Sequence, residues 1–453
     1  MRLSTIIPPY YRLRLDKKSY TPGLWVQYDL FLLVAFFTEL LTPYFIWKGY
    51  LPASLRWVGD VATILVIVLA VLRMLVFNRI PKAAVLILGL STLGIASAVL
   101  QGQGLSATLW GWMRMFKYPM MGLYAYQHPY WPEKLAGQLW RFCMWLLAAN
   151  LLFQLWQYLN GQTPGDDLAG TFGRRGVGPL IFFLAFVICL ALGNWLVTGN
   201  WRVLLFALGC GMAASALSEI KAFPAVLVLL GLGTLSVHMI RGGQVRRLII
   251  YVVSFVVISY AFISLYNIVI AEGRGKRRFE EYLNLETTLE YLDTDGGRGG
   301  GRYRLGRNFA LRYGWNIIQQ DGVTFLFGTG LGSRSSSVSL GIAGQGLLQG
   351  YYGLTSGTSL LVMMQEMGMT GLAAFAGVVL WLVGRLWREA MRAQHTDLAI
   401  LLYGTLLFTL FWPFWLWYHR VWDFAVPMIL YWCVLGFVLN QVQRVEPAGE
   451  EVA

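Results

Sequence analysis

Twelve apolar stretches, most of them long enough to cross a lipid bilayer, constrain this chain more than any other feature. A hydrocarbon core of roughly 30 Å needs about 20 helical residues at a rise of about 1.5 Å each. Such stretches fall at about 27–47, 58–77, 83–100, 107–126, 138–158, 177–197, 203–218, 222–239, 247–270, 357–386, 397–417 and 424–441. With 57% hydrophobic and only 13% charged residues, the chain has too little polar surface for a soluble globule. The fold class expected is an all-α polytopic membrane protein with about twelve transmembrane helices.

Basic residues orient it, because loops rich in Lys and Arg stay on the cytoplasmic side. If the amino-terminal Arg12, Arg14, Lys17 and Lys18 lie inside, so do Arg79/Lys82, Lys134, Arg202, Arg241/Arg246/Arg247, Arg385/Arg388/Arg392 and Arg444. Both termini are then cytoplasmic. The first apolar run begins only near Trp25, after polar and basic residues, so it reads as a membrane anchor and not a cleavable signal peptide. The formal charge of +13 comes largely from clusters beside apolar spans, which favours anionic headgroups over nucleic acid. Cys143, Cys189, Cys210 and Cys433 all sit in apolar segments, where neither a disulfide framework nor a cysteine metal site is indicated.

One outside segment breaks the charge rule. Between the ninth and tenth spans, from about Ile270 to Thr355, lie Arg274, Lys276, Arg277, Arg278, Arg298, Arg302, Arg304, Arg307, Arg312 and Arg334. Cations placed against the topology bias point to an anionic ligand, and at a membrane surface the expected anion is a lipid phosphate or diphosphate. The chain therefore divides into a membrane domain over 1–269, an Arg-rich extracytoplasmic loop over 270–355, and a second membrane domain with a cytoplasmic tail over 356–453. Within the loop, Phe279–Leu292 and Phe309–Gln320 show helical spacing, while Asp293–Gly306 is rich in Gly and Arg. No internal repeat of the kind seen in many transporters is evident.

Several short motifs fall on the outer side. Gly165 to Gly176 reads Gly-Asp-Asp-Leu-Ala-Gly-Thr-Phe-Gly-Arg-Arg-Gly before the sixth span. Its glycines permit close backbone approach, and Arg174 and Arg175 at a helix start suit a phosphate, with Thr171 beside them. The competing reading is a helix-entry loop touching headgroups. Ser218-Glu219-Ile220-Lys221 squeezes a charged pair between two spans, which marks a site or an exposed ion pair. In the large loop, Arg304, Arg307 and Arg312 precede Gly328-Thr329-Gly330-Leu331-Gly332, either an anion-holding turn or a structural one. Arg114 and Lys117 share one face of the fourth span and need counter-anions, from a lipid diphosphate or an internal acid. His419 and Arg420 form a last outer cluster with Asp423. No metal-ligand spacing is present.

Taken in order, these pieces resemble the bacterial O-antigen ligase and O-antigen/exopolysaccharide polymerase superfamily. The likeness covers nearly the whole chain: Gly170–Gly173 before a mid-chain span, Ser218–Lys221 two spans later, then one dominant late outer loop. It continues with Arg307, Trp315, Gly328 and Gly330 and with the Ser359–Gly368 sequence Ser-Leu-Leu-x4-Gln-Glu-Met-Gly. The resemblance implies a GT-C-type helical fold that acts on a polyprenyl-diphosphate-linked oligosaccharide without metal or cofactor. Its partners would be that glycan, membrane lipids and, in some members, a chain-length regulator.

By position, Arg174 and Arg175 look like the family's first outer arginine site, and Lys221 stands where a Ser-Arg pair is common. Arg307 looks like the large-loop arginine, with Arg304 and Arg312 as alternatives. Ligases typically carry a histidine shortly before the Glu-x-Gly of the post-loop span, where this chain has Thr355-Ser356-Gly357-Thr358-Ser359. The expected subtype is therefore a polymerase on the outer face of a bacterial inner membrane. The alternatives are a ligase transferring glycan to lipid A-core and, from another class, a flippase or solute transporter. In the polymerase, Arg174, Arg175, Lys221 and Arg307 would stabilise the departing diphosphate. Glu219, Asp166 or Asp167 would take the acceptor proton, with inversion as the family expectation.

Overall fold

The computed structural model describes residues 22–77, 82–128, 131–132, 134–242, 245–272, 278–293, 306–337, 340–348 and 357–445. Nine long helices come first: α1 (Pro22–Trp47), α2 (Arg56–Phe77), α3 (Lys82–Leu100), α4 (Leu105–Gln127), α5 (Leu135–Leu159), α6 (Val177–Thr198), α7 (Trp201–Leu217), α8 (Phe223–Ile240) and α9 (Val245–Tyr266). Asn267–Glu272 continues α9 as a π-helical turn. The loop region holds a 3-10 turn at Phe279–Leu283, then α10 (Leu285–Asp293), α11 (Arg307–Ile318) and α12 (Gly322–Phe327). A two-strand ribbon of β1 (Ser336–Ser337) and β2 (Ile342–Ala343) and the short α13 (Gln345–Leu348) follow. α14 (Ser359–Arg392), α15 (Thr396–Leu410), α16 (Trp412–Tyr418) and α17 (Ala425–Val445) complete the chain.

Lipid offers no hydrogen bonds, so apolar runs satisfy their backbone internally as helices. Their ends are written locally. α6 stops where Gly199 takes a left-handed conformation and donates to the Trp195 carbonyl, and α7 starts where the Asn200 side chain accepts from the Arg202 amide at 3.0 Å. Among the described residues, eight helices are long and apolar enough to cross a membrane: α1, α2, α3, α5, α6, α8, α14 and α17. The pair α15 and α16, bent by 52°, makes nine if counted as one broken span. The protein is thus an all-α membrane-embedded chain. Helices occupy all twelve expected stretches, but α7 and Val256–Glu272 are shorter apolar segments, and α4 carries Arg114 and Lys117.

α6 is the central helix, buried almost without break from Leu180 to Leu192, and it packs on α15, α7 and α17. A helix apolar on every side needs such a position. Gly193 allows the closest crossing, since a β-carbon there would sit 2.5 Å from the Ile400 carbonyl oxygen of α15. Around this core, α2, α3, α5 and α9 turn large apolar side chains such as Val61, Val99, Trp145 and Val257 outward, as lipid contact requires.

The second half of the large loop departs from the expected outer appendage. Residues 327–335 wedge between α3, α4 and α14, and Arg334 is fully buried, its Nη1 donating to the Gly346 carbonyl. The reason lies in α14, which is broken at Gly368 (φ 63°, ψ −161°). A break frees helical carbonyls that cannot stay unpaired in a membrane. Thr329 donates to the Gln365 carbonyl through both its amide (2.6 Å) and its hydroxyl (2.8 Å), and Ser97 Oγ donates to the Glu366 carbonyl (3.0 Å). Gly328 fits because a β-carbon there would lie 2.6 Å from the Gln365 carbonyl oxygen.

Candidate functional site

The stretch from Gly165 to Gly176 is held by three buried amides on one face of α5. Asn150 Oδ1 accepts from both the amide and the hydroxyl of Thr171, each at 3.0 Å. Gln157 pairs with both polar groups of the Gly170 backbone, at 3.0 and 3.1 Å. Gln154 donates to the Leu168 carbonyl (3.0 Å) and to Ser218 Oγ (2.7 Å), and Ser218 itself donates to the Leu168 carbonyl at 2.7 Å. Gly165 also donates to the Leu217 carbonyl. The Arg174/Arg175 motif and the Glu219/Lys221 turn are therefore one unit.

Within that unit, Asp167 accepts from the Arg175 amide at 3.1 Å and lies 3.7 Å from Arg174 Nε, while both arginine side chains reach outward. Lys221 Nζ lies 3.5 Å from Glu219 Oε1 and 4.2 Å from the ring centre of Tyr282. Arg175 (φ 55°) and Glu219 (φ 56°) are the two non-glycine residues with positive φ among the described residues. Strain of this kind collects where function fixes a side chain's direction.

Arg307 begins α11 and turns to the α16 end of the bundle, where its Nε donates to the Tyr418 carbonyl at 2.7 Å and its guanidinium stacks on the Tyr418 ring at 4.2 Å. The neighbouring His419 has its imidazole pushed down to about 4, first by burial and then by the Arg307 and Arg420 charges, with Asp423 opposing. Its ring is therefore neutral at ordinary pH. His419 Nε2 faces the first turn of α6, 3.0 Å from the place a β-carbon on Gly178 would take, two residues past the Arg174–Gly176 turn. The His419 carbonyl also accepts from the Ser359 amide at the start of α14 (3.0 Å). Arg174, Arg175, Lys221, Arg307 and His419 thus share one end of the bundle, linked by direct packing.

Other expected site residues have internal partners. Arg114 forks onto Asp423 Oδ1 (3.1 and 2.5 Å), and Arg420 binds the other oxygen of the same carboxylate. Burial pushes the Asp423 carboxyl up, but Arg420 and Arg114 outweigh it and hold it below its ordinary range. Lys117 pairs with Asp60 at 3.2 Å, so the shared helical face of Arg114 and Lys117 serves two separate acids. Arg312 pairs with Asp293 at 2.9 Å. Gly328 and Gly330 face protein, the first against α14 and the second against Ala98 and Gln103. Arg304 lies outside the described residues, as do Arg274, Lys276, Arg277, Arg298 and Arg302.

The glycine turn does hold a carboxyl group, but an internal one. The amides of Gly332 and Arg334 donate to the buried carboxyl group of Glu366, the latter at 3.0 Å. Sequence reasoning missed Glu366, and it missed the amides of α5. Asn150, Gln154 and Gln157 recur at helical spacing inside an apolar span, a signal that a polar face was being kept for a purpose. Tyr282, which lies beside Lys221, carried no such signal. Models of known protein families give no match to this sequence, and no curated protein matches it significantly.

Proposed function

We propose that this chain is a polymerase that joins polyprenyl-diphosphate-linked oligosaccharide repeats into O-antigen or exopolysaccharide. It works on the outer face of a bacterial inner membrane, with twelve spans and both termini in the cytoplasm. The carrying observation is the Gln154–Ser218–Leu168 knot, which joins Arg174 and Arg175 to Lys221 at the end of the bundle that also holds Arg307. Four cations from three distant stretches there suit a diphosphate better than a single phosphate.

In the reaction, a hydroxyl of the incoming repeat attacks the anomeric carbon of the growing chain. The bond from that carbon to the diphosphate oxygen breaks, and the lipid diphosphate leaves with the electron pair. Preorganised guanidinium groups stabilise the charge that develops on the leaving oxygen, which is the largest electrostatic contribution such a site can make. The hydroxyl proton passes to a carboxylate, and Glu219 suits this role because its backbone geometry and Lys221 fix its direction.

One observation favours the ligase as a second reading. The 355–359 stretch lacks a histidine in sequence, yet His419 is its neighbour in space, its backbone carbonyl accepting from the Ser359 amide at 3.0 Å. Product analysis with the reconstituted protein and a defined polyprenyl-diphosphate glycan separates the readings. A ladder of lengthening lipid-linked chains supports the polymerase, label on lipid A-core supports the ligase, and translocated but unchanged substrate means a transporter.

A further inference from the structure

Lys221 stands in the short turn between α7 and α8, with its side chain 32% exposed and that of Glu219 beside it 9% exposed. The 3.5 Å between Nζ and Oε1 exceeds the roughly 2.8 Å of a close charged hydrogen bond, so the acid steers the ammonium without pinning it. A lysine on its long flexible stem, held only that way, spreads over many rotamers. The ring of Tyr282, its centre 4.2 Å from Nζ, supplies a second restraint from a distant part of the chain.

That ring is itself anchored. Tyr282 lies in the 3-10 turn Phe279–Leu283, which is fastened to the end of α9 by an aromatic plug and a polar clamp. Phe279, 3% exposed, meets Phe262 and Tyr266 edge-on at 5.4 and 5.3 Å. Asn267, the first residue of the π-helical turn, donates to both carboxylate oxygens of Glu280 at 2.9 Å and accepts from the Phe279 amide at 2.8 Å. Turns of this kind are frequent at functional sites. This one ties down the chain three residues before Tyr282.

The same contact recurs in the site with the roles of loop and membrane body exchanged. Arg307 belongs to the large loop, and the ring against it, Tyr418, belongs to the end of α16, again at 4.2 Å. Tyr418 is steadied by Phe414, stacked 5.5 Å away at 10°. A ring face attracts a cation through its quadrupole, while the N–H groups of that cation can still point at oxygen atoms.

We propose that Tyr282 is a positioning residue, whose ring holds the Lys221 ammonium where the departing diphosphate develops charge, so that the first turn of the large loop is part of the site. The assignment rests on reading the site as one for a lipid diphosphate. A cation contributes most when it is ordered beforehand, because one that must first be immobilised stabilises the leaving group less.

Two measurements on the full-length protein in detergent test it: farnesyl diphosphate binding by calorimetry, and acetylation of Lys221 by acetic anhydride, followed by peptide mass spectrometry. Tyr282→Leu should weaken binding about fivefold and speed the acetylation by about as much, the effect of one lost cation–ring contact. Tyr282→Phe keeps the ring face and should stay within about twofold of wild type in both. In a Lys221→Met background, Tyr282→Leu should cause no further loss of binding, since the ring acts through the ammonium. Tyr282→Met replaces Tyr282→Leu if that variant fails to fold.

Three results overturn the role. Folded Tyr282→Leu binds as wild type does or leaves acetylation unchanged, Tyr282→Phe loses as much as Tyr282→Leu, or the leucine change costs as much binding without Lys221 as with it. The diphosphate reading fails separately. A wild type that binds no farnesyl diphosphate removes that reading and the role with it, whereas any of the three results beside a wild type that binds removes the role alone.

Discussion

Gln154 donates to Ser218 Oγ at 2.7 Å, and both side chains also donate to the Leu168 carbonyl, so one buried knot ties residues up to 64 positions apart in the chain. Gln154→Leu leaves Ser218 and its surroundings short of a donor. An orphaned buried polar group costs about 1–3 kcal/mol. The expected outcome is a lower melting temperature together with loss of polymer, although every cation remains. Thermal unfolding of the purified variant checks it, and an unchanged midpoint would show that the knot does not hold the site.

Charge removal should act on chemistry alone. The Arg174 side chain is 59% exposed, so Arg174→Ala should shift stability by no more than about 0.5 kcal/mol. Losing one preorganised cation from the leaving-group site should slow transfer by about a hundredfold. The same loss of rate is expected for Arg175→Ala and Arg307→Ala, read as the length distribution of lipid-linked chains. Normal ladders from all three would reject the cationic site.

Backbone strain gives a different signature at Arg175. A left-handed conformation costs an ordinary residue about 1–2 kcal/mol and glycine almost nothing. Arg175→Gly should therefore keep or slightly raise stability while lowering activity, whereas Arg175→Val should lower both. Parallel melting curves and turnover rates test the pair; a destabilised glycine variant would mean that side-chain contacts outweigh the strain.

Two glycines at opposite ends of α12 should behave oppositely. Gly328 has φ 71°, and a β-carbon there would lie 2.6 Å from the Gln365 carbonyl oxygen, whereas nothing lies within 4 Å of a β-carbon on Gly322. Gly328→Ala should cost upwards of about 2 kcal/mol and open the seal on the broken α14, while Gly322→Ala stays within about 0.5 kcal/mol. Protease sensitivity of α14 in the two variants is the readout, and equal protection would refute the packing argument.

His419 predicts a pH effect. In the unfolded chain its imidazole takes a proton below about 6.5, but in the fold not until about 4. The unfolded state therefore binds more protons in that window, and stability falls as pH drops from about 6.5 toward 4. His419→Gln should flatten the dependence of melting temperature on pH there. An identical slope in wild type and variant would place the titration elsewhere.

Much of the architecture was legible in the chain because its cause is local. Apolar runs of bilayer length must become helices, and Gly199, Asn200 and the charged turns mark where they end. The pairing of Arg174 and Arg175 with a helix start was also readable, as was a loop helix expected over Phe309–Gln320 and found at Arg307–Ile318, since each depends on a few neighbouring residues.

Partnership was not readable, because it depends on which helices meet. Arg114 and Lys117 share a face, yet only packing decides that one finds Asp423 and the other Asp60. The glycine turn looked like an anion cradle, and tertiary structure determined that its acceptor is the Glu366 carboxyl group and that its other task is to cover the break at Gly368. A sequence sets what each segment must satisfy, such as a backbone without water or a cation without a counter-charge. Which distant group satisfies it is fixed only when the helices pack.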